Sequence, residues 1–146
     1  MSILVIAEHD NLNLKVFSLN AISAASKIDQ DIHVLVAGNK CENVCKEVAA
    51  VPLVKKVLQS DSANYENYLA ENLTQLVVKL ADKYTHIVAS ANTFVKNFMP
   101  RVAALLDTSQ ISDIIKVNNP DTFIRPIYAG NAFATVKSND KKNVLQ

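Results

Sequence analysis

Ile3-Leu4-Val5-Ile6-Ala7 is an unbroken apolar run at the head of the chain, β-branched at Ile3, Val5 and Ile6. It is too short for a helix and has no polar face, which is how a strand buried on both sides of a parallel sheet reads. Three further runs repeat the signal: Ile32-His33-Val34-Leu35-Val36, Val54-Lys55-Lys56-Val57-Leu58 and His86-Ile87-Val88-Ala89. Helical patterns separate them. The first runs over residues 12–28, with Phe17, Ala21, Ala24 and Ile28 on one stripe. A short one covers 41–50. The strongest covers 65–82, where Leu69, Leu73, Leu76, Val77 and Leu80 recur at three- and four-residue steps. Strands alternating with helices predict an α/β fold, with helices on both faces of a mainly parallel sheet and right-handed crossovers.

After Ala89 the pattern changes. A helix is expected from Met99 or Pro100 to Asp107, with Pro100 in its first turn, where a missing N–H costs nothing. Gln110 to Val117 reads as extended, and Asn118-Asn119-Pro120-Asp121 as a turn. Thr122–Tyr128 and Ala132–Lys137 read as an antiparallel hairpin closed by Gly130-Asn131 in a two-residue type II′ turn. Pro126 places its strand at an edge, or its N–H position outward. The tail from Ser138 is polar until Val144-Leu145.

A length of 146 residues predicts a single domain, 1–146, able to bury about two-thirds of its unfolded surface. Hydrophobic residues make up 49%, charged residues 20%, and the net charge is +1. That balance gives no basic surface for nucleic acid or an anionic membrane. No apolar run approaches the roughly 18 residues of a membrane span. No secretory signal or transit segment is visible. Cys41 and Cys45 are four apart, outside the C-x-x-C and zinc spacings, and read as free thiols. The three histidines have no metal-ligand spacing, so no metal site is expected.

Gly38 and Gly130 are the only glycines. Neither a dinucleotide fingerprint nor a phosphate loop can be built from them. The densest polar cluster at a strand end is Glu8-His9-Asp10. It reads either as an acid–base site at the ligand-binding edge of the sheet or as a solvated loop in which Asp10 or Asn11 caps a helix. His33 and His86 read as structural. Ser60-Asp61-Ser62 and Ser90-Ala91-Asn92-Thr93 suit helix caps, or a nucleotide's ribose and phosphate. Arg101, in the first turn of its expected helix, opposes the helix dipole, and Arg125 interrupts an apolar strand. Each is either a partner contact or a plain surface arginine.

Two blocks carry a family resemblance: Lys96-Asn97-Phe98-Met99-Pro100-Arg101-Val102-Ala103-Ala104-Leu105-Leu106-Asp107, and Thr122 to Val136 around Arg125-Pro126-Ile127-Tyr128-Ala129-Gly130-Asn131. With residues 3–9 and 84–88, they resemble the N-terminal domain of the electron-transfer flavoprotein alpha subunit. The resemblance implies a nucleotide-binding-like α/β domain and a heterodimer with a beta subunit that holds AMP. It also implies one FAD, held mainly by a C-terminal alpha domain outside these residues. The complex would carry electrons from flavin dehydrogenases to an acceptor, in the bacterial cytoplasm or the mitochondrial matrix. On that reading the chain is a scaffold and assembly domain, not an enzyme, and has no flavin-binding residue of its own. Phe98, Pro100, Arg101, Arg125, Tyr128 and Asn131 are its expected partner contacts. A free-standing adenine-nucleotide-binding module is the alternative. Val95 stands where the family usually has Gly, so the expected loop either has ordinary backbone there or is shifted.

Overall fold

β1 (Ile3–Ile6) lies in the middle of a six-stranded sheet. The computed structural model describes residues 1–146. The chain continues through α1 (Val16–Ala25), β2 (Ile32–Gly38), α2 (Glu42–Ala49), β3 (Lys56–Asp61), α3 (Ala70–Leu80), β4 (His86–Val88), α4 (Thr93–Leu105) and β5 (Gln110–Ile111). It then leaves the sheet for β6 (Lys116–Asn119), β7 (Thr122–Ile127) and β8 (Ala132–Lys137), and returns as β9 (Asn143–Leu145). The main sheet has the order β3-β2-β1-β4-β9-β5, all parallel. The small sheet, β6-β7-β8, is antiparallel. This is the expected α/β architecture.

Alternation along β1 divides the core. Ile3 and Val5 pack with α1 and α2 on one face, and Leu4 and Ile6 with α3 and α4 on the other. The fourth helix corrects the expectation. It begins at Thr93, capped by the Asn92 side chain accepting from the Val95 N–H at 3.0 Å, and Pro100 lies inside it. Interior proline costs about 3 kcal/mol. Val95, Phe98, Met99, Val102 and Ala103 recur at helical spacing and are all buried, and that burial outweighs the break. Arg101 is therefore well past the first turn and has no quarrel with the dipole there. Val95 sits on ordinary helical backbone.

The hairpin is also corrected. Ile127 pairs with Ala132, so four residues, Tyr128 to Asn131, form its loop rather than two. Tyr128, Ala129 and Gly130 take φ of 50°, 53° and 87°, a run of left-handed residues that a II′ turn does not contain. β7 is the middle strand of its sheet, yet Pro126 is tolerated. The Ile115 N–H donates to the Ile124 carbonyl at 2.9 Å, so Ile124 faces β6. Two residues on, Pro126 faces the same side beyond the end of β6, where no donor is required.

Candidate functional site

In open α/β sheets, ligands meet the carboxyl ends of the parallel strands. Here those ends are filled by the chain's own side chains. Glu8 is buried, not solvated. Its carbonyl accepts from the Ser18 hydroxyl at 3.0 Å, and its carboxylate accepts from Lys15 Nζ at 3.3 Å and from Asn92 Nδ2. A buried carboxylate needs such donors, and Asn92 arrives from a segment 84 residues away.

His9 is 3% exposed. Its Nε2 lies 2.9 Å from the Ala37 carbonyl, which can only accept, so Nε2 carries the proton. Nδ1 is then the acceptor for the Asn11 N–H at 3.0 Å and the Tyr68 hydroxyl at 3.2 Å. Tyr68 also meets the ring edge-on, centroids 5.3 Å apart. The solvated-loop reading of this cluster holds only for Asp10. Asp10 is exposed and accepts from the Leu12 and Asn13 N–H groups, but it does not cap α1, whose first turn has no side-chain cap.

Burial lowers the His9 pKa below 6.5, against the raising effect of the Ala37 bond and Asp10. His86, buried with Nε2 donating to the Pro120 carbonyl at 2.7 Å, is lowered for the same first reason. A folded pKa below the unfolded one means the unfolded chain takes up protons first as pH falls. The stability is full above about pH 6.5 and declines as pH drops through the folded values. Urea midpoints between pH 8 and 5 should fall with pH. His9→Gln should flatten that slope, leaving the part that belongs to His86. A slope unchanged in His9→Gln would show that His9 titrates alike in both states.

Side chains also reach the approaches to the two helices beside this cluster. Asp61 accepts from the Lys40 and Cys41 N–H groups at 2.8 and 3.0 Å, which holds its carboxyl below the ordinary range. Asn92 fills the start of α4. Neither start carries a glycine-rich phosphate-binding turn, since Gly38 and Gly130 are the only glycines. Cys41 and Cys45 are free thiols. Burial first, then Asp61, pushes the Cys41 thiol up to about 12, so it is no thiolate nucleophile at neutral pH. Ser62 caps the 3-10 turn over Ala63–Tyr65, whereas the Ser90 hydroxyl accepts from the side chain of Asn92, the residue that caps α4. His33 bonds the Tyr84 hydroxyl at 2.9 Å, a structural role. No group of three metal-ligating side chains exists, and no helix is long and apolar enough to cross a membrane. An apolar cavity of about 240 Å³ lies between α1 and the ends of β4 and β9, lined by Phe17, Ala21, Val88 and Leu145 among others. It has no acid, base or nucleophile beyond Ser90.

Lys15, Ser18 and Tyr68 complete the Glu8–His9 cluster, and nothing in their sequence context marks them. The expected partner contacts divide. Phe98 is 1% exposed, its ring in the core shared with α3. Pro100 and Arg101 are exposed on α4, and Arg101 donates to Glu71 on α3 at 2.9 Å. Arg125 is half-buried, and Tyr128 and Asn131 stand exposed at the hairpin tip. No hydrogen bond or ion pair joins the Pro100–Arg101 surface to the hairpin.

The model of the electron transfer flavoprotein domain matches residues 3–145. The chain belongs to that family. It is 52% identical over 145 residues to the electron transfer flavoprotein subunit alpha of Pseudomonas aeruginosa, covering 99% of this chain and 47% of the relative. It is 53% identical over 149 residues to the mitochondrial subunit alpha of Dictyostelium discoideum, covering 97% and 42%. The Bradyrhizobium diazoefficiens subunit alpha is 52% identical, covering 99% and 46%. The chain therefore spans just under half the length of the curated relatives it matches. The electron transfer flavoprotein blocks quoted above map onto α4 and the β7–β8 hairpin.

Proposed function

We propose that residues 1–146 form the N-terminal domain of an electron-transfer flavoprotein alpha subunit, and that this domain is the scaffold on which the beta subunit assembles. It is a carrier subunit rather than an enzyme. The complete heterodimer, in a bacterial cytoplasm or a mitochondrial matrix, carries electrons on FAD from flavin dehydrogenases to a respiratory acceptor. The flavin is held outside these residues, in keeping with strand ends closed by Glu8, Asn92 and Asp61. The same closure tells against a free-standing nucleotide module. Contact runs through Arg125, Tyr128 and Asn131 on the hairpin and Pro100 and Arg101 on α4, with Phe98 fixing the helix that presents the latter two.

The observation that carries this reading is the free edge of β8. Arg125 pairs with Ala134, and the Ser138 N–H donates to the Asp121 carbonyl, so residues 132, 134, 136 and 138 bond inward to β7. Phe133, Thr135 and Lys137 then point their backbone groups outward, and all three are exposed. The edge has no proline or bulge, and Phe133 is 68% exposed. Such an edge is a template for an added strand. Thr135→Pro removes an outward donor without touching the β7 ladder. It should leave the melting temperature of the chain nearly unchanged and weaken association with purified beta subunit at least about tenfold. Unchanged association in a titration would sink the edge-strand reading.

A further inference from the structure

Arg125 presents a problem that the fold does not solve. It lies on β7 opposite Ala134, the smallest cross-strand neighbour available, on the same side of the small sheet as Phe123, which is fully buried. Its Nε is sealed from solvent and has no acceptor. No hydrogen bond or ion pair involves the side chain. The other arginine, Arg101, bonds Glu71, and the acid nearest in this sheet's register, Asp121, is taken by Lys137 at 3.5 Å and by the Thr122 hydroxyl at 2.7 Å. An Nε–H sealed from water without an acceptor is costly to hold, and no acceptor of this chain offsets it.

We infer that Arg125 is the receptor for a carboxylate side chain of the partner subunit, delivered as the partner's strand joins β8. This rests on the assembly reading given above. Arginine's planar fork matches a carboxylate through two parallel bonds. A phosphate partner is disfavoured because the net charge is only +1, Lys137 is paired with Asp121, and Lys116, opposite Ile124, lies on the other face of the small sheet from Arg125. The surroundings suit a protein: on its own face of the sheet Arg125 is flanked by Phe123 and Ile127, with Ala132, Ala134 and Val136 opposite them on β8. Apolar neighbours of this kind exclude water from an ion pair and strengthen it.

The test uses the 146-residue chain and purified electron-transfer flavoprotein beta subunit. Arg125→Gln should weaken association at least about 30-fold, with Arg125→Lys in between. Raising NaCl should weaken the wild type more steeply than Arg125→Gln. In the 15N-labelled chain, the Arg125 Nε–H resonance should shift on adding beta subunit, a change that a purely structural arginine would not give. Melting of each variant near the wild-type temperature separates binding from folding. Arg125→Gln binding within about twofold of wild type, while Thr135→Pro still weakens association at least about tenfold, would overturn the carboxylate receptor and leave the edge strand standing. Failure of the wild-type chain to bind, or indifference to both substitutions, would overturn both.

Discussion

Phe123→Ala is expected to lower the unfolding free energy by about 3–5 kcal/mol, the range for emptying a buried aromatic site. Phe123 is 0% exposed and belongs to the core on the α1–α2 side of the main sheet. Its cross-strand neighbours are Val117 on β6 and Val136 on β8, both half-buried against the same core. It is therefore the one fully buried side chain by which the small sheet is fastened to the body. A small sheet without a packed face is marginal in water. The loss should be local as well as global. Amide exchange in β6, β7 and β8 should accelerate far more than in β1, β2 and β4, and Phe123→Leu should cost less than half as much. A loss under about 1 kcal/mol, or exchange that rises evenly through both sheets, would mean the small sheet is held by something else.

Gly38→Ala is expected to cost about 1–3 kcal/mol, the range for overpacking. A Cβ there would meet Asn11 Oδ1 at 2.5 Å, His9 Cε1 at 2.7 Å and Cys41 Cβ at 3.1 Å. The first two are side-chain ends, but neither is free to swing. Oδ1 accepts from the Asn39 N–H at 2.8 Å, and the His9 ring is held at both nitrogens. Relief requires giving up at least one of these bonds. Pairing Gly38→Ala with Asn11→Ala should cost less than the sum of the two alone, because the clash and the lost bond share one side chain. Gly130 makes the contrast. Nothing lies within 4 Å of its Cβ position, and only its φ of +87° resists substitution. Denaturant midpoints for the single and double variants check this. Strict additivity would show that Asn11 is not what fills the Gly38 corner.

Much of the frame was legible in the chain itself. Residues 3–6, 32–36 and 86–88 are apolar on both sides, and only a parallel strand covered on two faces uses such runs, so β1, β2 and β4 follow from local composition. Lys96–Asp107 and Thr122–Val136 carried the family, which the comparison over residues 3–145 bears out. What local pattern could not weigh was burial supplied from a distance. Pro100 reads as a helix start until α3 and the sheet claim Val95, Phe98 and Val102 and draw the helix through it. Asn143–Leu145 reads as the end of a polar tail, yet β4 and β5 on either side make it an interior strand. Glu8 and His9 look like solvated loop residues, because a polar side chain after a strand has no reason in sequence to be buried. Asn92, Lys15, Ala37 and Tyr68 supply the reason only once the chain is folded. Arg125 marks the limit of that logic, a buried donor for which the tertiary structure of this chain provides no acceptor.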